Sequence, residues 1–372
     1  MSRLRSPVLA LLALFAALHT GCDDRSAASS TGGAGGGQGG AAPVAEPYTI
    51  DAFVDARITS DSAQPNFQTI SAEIDLVGAP FASVTLDVKL DTSCYPFEKW
   101  QDDPPPEGQN WPPSCDAYDR NFEISIHDPS APEGTPGVEL VRAITPFGGP
   151  MQVEADLTDV ANHRPGKHRL EIHITTWSDG AGQVSGSNGG WDVSASLSVV
   201  PGAAPREVLA IVPLFDGSDT DPNGPGPLPF TVPEGATTGR VEYRVTGHGG
   251  PNTGPGCNGP AEEFCLREHV ILVDGAEATT LEPWRSDCEK GCTMTHYGPE
   301  DGGFDYCLEN PCGHPASVRA SRANWCPGSV TPPYVFELGL PAGAHDFSWR
   351  VPEMLEGGSW SVAATYFAYR SP

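Results

Sequence analysis

Two stretches of the chain set carboxylates beside a cysteine just ahead of a strand pattern. The first is Ser114-Cys-Asp-Ala-Tyr-Asp-Arg120, which runs into Phe122, Ile124 and Ile126. The second is Ala261-Glu-Glu-Phe-Cys-Leu-Arg-Glu-His269, which runs into Val270-Ile-Leu-Val. A carboxylate held in place can orient or deprotonate water, a task worth about a hundred- to ten-thousand-fold in rate when its pKa suits the working pH. Two acids in unlike surroundings divide such work, one ionised as base and the other keeping a proton. Arg120 next to Asp119 would favour the charged form, whereas a neighbouring acid such as Glu263 would push one of the pair toward protonation. Read alone, Asp119 and Arg120 also fit a turn and a surface ion pair, and Glu263 fits a solvated loop acid. A third cluster, Cys307-Leu-Glu-Asn-Pro311 followed by Ala320-Ser-Arg-Ala-Asn-Trp-Cys-Pro-Gly328, adds an arginine and a tryptophan close to cysteines.

The elements that must position these residues are strands. From Tyr48 onward apolar residues recur at a spacing of two, as in Leu170, Ile172, Ile174 and Thr176, in Val193, Ala195, Leu197 and Val199, and in Val241, Tyr243 and Val245. Such spacing buries one face of a strand. Helical periodicity is scarce, so the chain reads as all-β. Taking 169–177 as one strand puts Thr175 and Trp177 on a common face, opposite Ile172 and Ile174, where the tryptophan ring would offer a stacking surface. Trp177 reads equally well as strand-end packing. A proline-glycine break at Val200-Pro-Gly-Ala-Ala-Pro-Arg206 divides the ordered region into two β-sandwich domains, 47–200 and 207–372.

Composition excludes more than it identifies. Lys and Arg number 21 against 48 Asp and Glu, a net charge of −27, which repels a phosphate backbone and rules against nucleic acid. Residues 1–22 carry Arg3 and Arg5, an apolar run from Val8 to Leu18, and Thr20-Gly21-Cys22, the pattern of a secretory signal peptide with a lipobox. Cys22 would then be acylated, although His19 stands where that pattern prefers leucine. Residues 23–46, with nine residues of Gly, Ala and Gln at 32–40, read as a flexible tether. The expectation is an exported lipoprotein of the bacterial cell envelope, or a secreted protein, that meets the membrane only through its lipid. Nine cysteines besides Cys22 point to disulfides with one left over. Metal is not expected: Cys288 and Cys292 lack a second matching pair, and His168 and His173 differ in parity along their strand. His269, at the head of a strand, reads as a structural histidine.

The three clusters in this order resemble the peptide:N-glycosidase F family of bacterial glycoamidases. The likeness runs through both domains, from about Val88 to Tyr369, and is carried by Cys-Asp-x-Tyr-Asp-Arg, Ala-Glu-x-Phe-Cys-x-Arg-x-His and Arg-Ala-x-Trp-Cys-Pro-Gly. It implies two eight-stranded jelly rolls packed side by side. It implies Asp119 as the catalytic carboxylate with Arg120 beside it, and Glu263, two residues before Cys265, as a second acid in preference to Glu262. Trp177 matches the family's tryptophan near the sugar, Arg322 its interdomain arginine, and His248 its histidine. The chain departs from the pattern at Thr175, where the family has a third acid, at Thr246, where it has an aromatic, and in the wider Cys257–Cys265 loop.

The resemblance further implies disulfides Cys94–Cys115, Cys257–Cys265 and Cys307–Cys326, leaving one pair and one free thiol among Cys288, Cys292 and Cys312. It implies hydrolysis of the amide between N-acetylglucosamine and asparagine in N-linked glycoproteins or glycopeptides, without a cofactor, by a monomer whose two acids meet across the domain junction. The alternative is a non-catalytic glycan- or glycoprotein-binding surface lipoprotein on the same fold.

Overall fold

The structure, a computed structural model, describes residues 46–370 apart from Glu133 and Gly182. The signal peptide, Cys22 and the glycine-rich segment lie outside the described residues.

The first eight strands are β1 (Tyr48–Thr59), β2 (Thr69–Leu76), β3 (Phe81–Asp91), β4 (Asn121–His127), β5 (Val138–Ile144), β6 (Met151–Asp156), β7 (Gly166–Ile174) and β8 (Gly190–Pro201). They form one sheet in the order β1-β8-β3-β6 and a facing run β5-β4-β7-β2, all antiparallel. Those two orders are the strand sequence of a jelly roll. Its core follows from alternation: Phe122, Ile124 and Ile126 of β4, Leu170, Ile172 and Ile174 of β7, and Val193, Ala195, Leu197 and Val199 of β8 are buried together.

The pattern repeats with β9 (Glu207–Asp219), β10 (Leu228–Val232), β11 (Thr238–Gly249), β12 (His269–Val273) and β13 (Ala276–Leu281). It resumes with β17 (Tyr334–Glu337), β18 (Gly343–Arg350) and β19 (Gly358–Arg370). The sheets run β10-β18-β12-β13 and β17-β11-β19-β9, a second jelly roll around Val241, Tyr243, Val245, Trp349 and Trp360. In β19 the alternation gives way, and every residue from Val362 to Tyr369 is buried. One face lies on its own core and the other on the first sandwich, where the Tyr369 hydroxyl donates to Asp159 (2.8 Å) and Arg244 donates to the carbonyl of Leu140 (3.2 Å).

Between β13 and β17 an insertion carries the hairpin β14 (Met294–Tyr297) and β15 (Phe304–Cys307), the short helix Pro315–Val318, and β16 (Ser329–Val330). Although it belongs to the second half of the chain, β16 pairs with β5 and becomes the fifth strand of a first-sandwich sheet, with Ser329 opposite Ile144.

The insertion also corrects the expected disulfide frame. Cys94–Cys115 and Cys257–Cys265 are formed, but Cys307 does not meet Cys326. Cys307 is bonded to Cys292 and Cys326 to Cys288, leaving Cys312 free. The cause is local pairing. Hairpin register places Met294 opposite Cys307, which delivers Cys292 to Cys307. Reciprocal backbone bonds between Arg285 and Arg322 (2.8 and 2.9 Å) bring Cys288 to Cys326.

Candidate active site at the junction of the sandwiches

Asp119 ends the loop that enters β4. Four residues earlier Cys115 is tied to Cys94, and between them the fully buried Asp116 takes the Arg120 guanidinium in two bonds from Nε (2.9 and 3.1 Å) and one ion-pair contact from Nη2 (2.9 Å). The backbone of Arg120 is clamped in turn by Thr145, whose hydroxyl accepts from the Arg120 N–H (2.9 Å). These bonds fix the turn and leave the Asp119 carboxyl half-buried beyond it. The expected electrostatic partnership of Arg120 with Asp119 is present but weak, second to that of Arg322. Asp116 holds this guanidinium, and Arg120 is not among the residues that line the cavity described below.

Glu263 lies in the 3-10 turn Glu262–Phe264, inside the Cys257–Cys265 loop. Ala261 enters the turn at φ 85° and ψ 153°, a conformation that costs an L-residue about 1–3 kcal/mol. The disulfide and a bond from Ala261 N to Asn252 O (2.8 Å) hold it there. With roughly 120° between successive residues of such a turn, consecutive acids face different ways. Glu262 points inward, fully buried, and accepts from Arg267 Nε (2.9 Å), Trp360 Nε1 (3.1 Å) and Leu355 N (3.0 Å). Glu263 points outward and accepts from Arg322 Nη1 (3.0 Å).

Arg322 is 1% exposed and lies between the rings of Trp325 (4.4 Å) and Phe264 (4.7 Å). Its Nη2 donates to the Ser317 carbonyl (3.0 Å) and hydroxyl (3.1 Å), while its buried Nε has no hydrogen-bond partner among the described residues. A planar cation held by two aromatic faces loses little water that it would otherwise use, and keeps its fork aligned.

Asp119, Asn121, Ile144 and Phe147 from the first sandwich and His248, Glu263, Ser317, Arg322 and Trp325 from the second line one polar cavity of about 250 Å³. Burial lifts the Asp119 carboxyl above the usual carboxylate range, against the opposing charges of Arg322 and, more weakly, Arg120. Burial also raises Glu263, with Arg322 opposing and the charge of Asp119 adding to the rise. His248 is pushed down to about 3 by burial, aided by Arg142 and Arg322, so it is a neutral ring at ordinary pH. Its Nε2 bonds the hydroxyl of Thr246 (2.8 Å) and its ring stacks on Trp325 (5.6 Å, 27°). Gly247 makes this packing possible, since a Cβ there would sit 2.7 Å from that of Ala323.

Two expected site residues are elsewhere. Strand β7 stops at Ile174, so the alternation that grouped Thr175 with Trp177 lapses. The Thr175 hydroxyl accepts from the N–H of Asn121 (3.1 Å) and supports that cavity residue from behind. Trp177, 50% exposed, lines a separate cavity of about 630 Å³ with Asp61, Phe67, Gln68 and Asn188. His269 is buried and bonded to the Tyr243 hydroxyl (2.9 Å), a core position.

Sequence reasoning missed Ser317, Asn121 and Trp325 as cavity residues. Trp325 was within reach, being the aromatic of Arg-Ala-Asn-Trp-Cys-Pro-Gly. Its Nε1 donates to Gly247 O (2.9 Å), and Asn324 Nδ2 donates to Val245 O (2.8 Å), which straps the motif along β11.

Residues 221–366 match the family described as Peptide-N-glycosidase F, C terminal. Among solved structures, the chain is similar to PNGF-II at 19% identity, over 88% of this chain and 66% of that one, with a TM-score of 0.64. It therefore spans just under two thirds of that relative. It is similar to recombinant peptide:N-glycanase F at 15% identity, over 88% and 97%, with a TM-score of 0.61. PNGase F, a glycosylasparaginase from Flavobacterium meningosepticum, aligns at 16% identity over 88% and 97%, with a TM-score of 0.59. No curated protein matches the chain. At these identities the structural likeness establishes the two-sandwich fold.

Proposed function

Starting from a chain whose residues 221–366 belong to the peptide-N-glycosidase F family and whose fold is that family's, we propose that it hydrolyses the amide joining N-acetylglucosamine to asparagine in N-linked glycoproteins or glycopeptides. The observation that carries this reading is that Asp119 and Glu263, from different sandwiches, line one cavity with the buried Arg322. Asp119 acts as the base: ionised, it orients water and takes its proton as the oxygen adds to the amide carbon. Glu263 holds a proton for the departing nitrogen, in keeping with its raised pKa and its proximity to the Asp119 charge. Arg322, which lines the cavity, sets its positive charge beside the oxygen on which negative charge grows. The products are aspartate and a glycosylamine.

A cavity of about 250 Å³ is small beside the roughly 300–1,000 Å³ of common ligand sites, so it encloses the scissile amide and leaves the glycan outside. Trp177, half exposed in its separate cavity, lies outside the lining of this one. Four disulfides suit the oxidising compartment in which N-glycoproteins are met, and a lipid on Cys22 would tether the enzyme there.

One observation favours a second reading, a glycan-binding surface protein without turnover: Thr175 stands where the family has a third acid, and its hydroxyl is engaged by Asn121. Incubating purified mature chain with a denatured N-glycoprotein distinguishes the two. Glycan release with conversion of the carrier asparagine to aspartate supports the enzyme. Saturable glycopeptide binding with neither change sinks it in favour of the binding protein.

A further inference from the structure

Cys312 is not an isolated thiol. Its sulfur lies within 4.8 Å of both sulfurs of the Cys94–Cys115 disulfide, although Cys312 comes from the insertion of the second sandwich and the disulfide from the first. Two features hold the three sulfurs together. The N–H of Cys312 donates to the carbonyl of Phe147 (3.0 Å), and the side chain of Asn310, two residues earlier, accepts from the N–H of Phe147 (2.9 Å). Between the sulfurs stands Gly148, at φ 64°. A Cβ on it would come 2.5 Å from the Cys312 sulfur and 2.8 and 3.1 Å from Cβ and Sγ of Cys94, so only glycine leaves the two cysteines side by side.

We propose that Cys312 exchanges with this disulfide, moving the cross-link from within the first sandwich to between the sandwiches. The Cys312 sulfur, having given its proton to solvent, attacks Sγ of Cys94. The Cys94–Cys312 bond forms, the Cys94–Cys115 bond breaks, and the electron pair leaves on Cys115, which takes up a proton. Thiol and disulfide counts are unchanged, so no oxidant or reductant is consumed. Cys94 is chosen over Cys115 as the sulfur attacked because it shares the Gly148 gap with Cys312.

The exchange has two consequences for the cavity. A Cys94–Cys312 bond ties the loop after β3 to the insertion that carries Ser317, Arg322 and Trp325. Loss of Cys94–Cys115 at the same time frees the loop that ends in Asp119, four residues past Cys115. Burial and the charge of Asp116 raise the Cys312 thiol, which keeps it protonated and the exchange slow near neutrality. While the pH stays below that raised value, each unit of increase should speed the exchange about tenfold, in step with the thiolate fraction.

The test uses the full mature protein in a series of buffers from neutral to alkaline pH, quenched with a thiol alkylator and mapped by nonreducing peptide analysis. The expected result is a Cys94–Cys312 peptide whose growth matches, one for one, the appearance of alkylated Cys115 and the loss of alkylated Cys312. Its rate should rise about tenfold per pH unit, and Cys312→Ser and Cys312→Ala should abolish the labelling of Cys115. The two substitutions guard against a folding defect in either one, with circular dichroism as the control. If Cys312 is alkylated in full while Cys115 is never labelled at any pH, or if Cys115 is labelled equally in the Cys312 variants, the exchange does not occur.

Discussion

The loops that enter β4 and β12 solve one problem in the same way with different parts. Each sets a pair of acids beside or within a disulfide-closed loop, Asp116 and Asp119 in the first and Glu262 and Glu263 in the second, and commits one of the pair to an arginine. In the first loop Asp116 holds Arg120, and in the second Glu262 holds Arg267. The remaining acids, Asp119 and Glu263, are left to the shared cavity. The loops differ in what reaches the exposed acid. Glu263 is bonded by Arg322, whereas the same guanidinium influences Asp119 chiefly through its charge. A buried ion pair contributes little net stability, yet removing one partner leaves a bare charge, so such pairs determine the shape of a loop. The comparison separates acids that hold the loops from acids available for chemistry.

The sharpest break would come from activity. Asp119→Asn keeps the shape and removes basicity, so turnover should fall at least about a hundredfold with little change in glycopeptide affinity. Glu263→Gln should lose a similar factor, and the double variant should lose less than the product of the two, because both acids serve one step. Single-turnover kinetics on a glycopeptide would check this; independent, multiplicative losses would refute the joint role.

The inward acids should respond in stability instead. Glu262→Ala strands Arg267 and should cost about 3–5 kcal/mol of unfolding free energy, as should Asp116→Ala with Arg120. Denaturant titration measures it. Loss of turnover at Asp116 or Glu262 with unchanged stability would erase the distinction between the two kinds of acid.

The pH dependence sharpens it further. Because burial raises Asp119, the folded protein holds a proton there over a range in which the unfolded chain, with a carboxyl near pH 4, does not. Stability contributed by this site is therefore present below about pH 4 and declines as pH rises through the raised value. Asp119→Asn should raise the melting temperature near neutral pH and leave it unchanged in acid. The parent's turnover should fall on the acidic side as Asp119 is protonated, with a midpoint above the usual carboxylate range. An acid limb that persists in Asp119→Asn would assign it to another group.

The smallest effect is expected at Thr175. Removing its hydroxyl in Thr175→Val loses one bond to Asn121 N, worth about 1 kcal/mol of stability, with turnover per folded molecule little changed. A large loss of turnover would return Thr175 to the site.

Much of this was legible in the residues. Period-two runs such as Phe122, Ile124 and Ile126 marked strands and their inner faces, because a pleat sends alternate side chains to opposite sides and only one side meets the core. The choice of Glu263 over Glu262 came from the family resemblance, which sets the second acid two residues before Cys265, and Glu263 is the one that lines the cavity. Where a strand stopped was less legible: the run through Leu170, Ile172 and Ile174 extends to Thr176, but β7 ends at Ile174 and leaves Trp177 in another cavity. Hydrophobic spacing persists past the last ladder bond, since a residue can be buried without being paired.

The sequence by itself determined what depends on neighbours within a few residues: the all-β class, the inward faces, the acids beside cysteines, the oddness of the cysteine count. Tertiary structure alone decided which groups from distant segments meet. Arg322 rather than the adjacent Arg120 is the main opposing charge at Asp119, because Asp116 captures Arg120 four residues away. Cys288 rather than Cys307 bonds Cys326, because a hairpin claims Cys307 first. Both outcomes are competitions between a near partner and a far one, and their result depends on distances and burial that exist only once both sandwiches have closed.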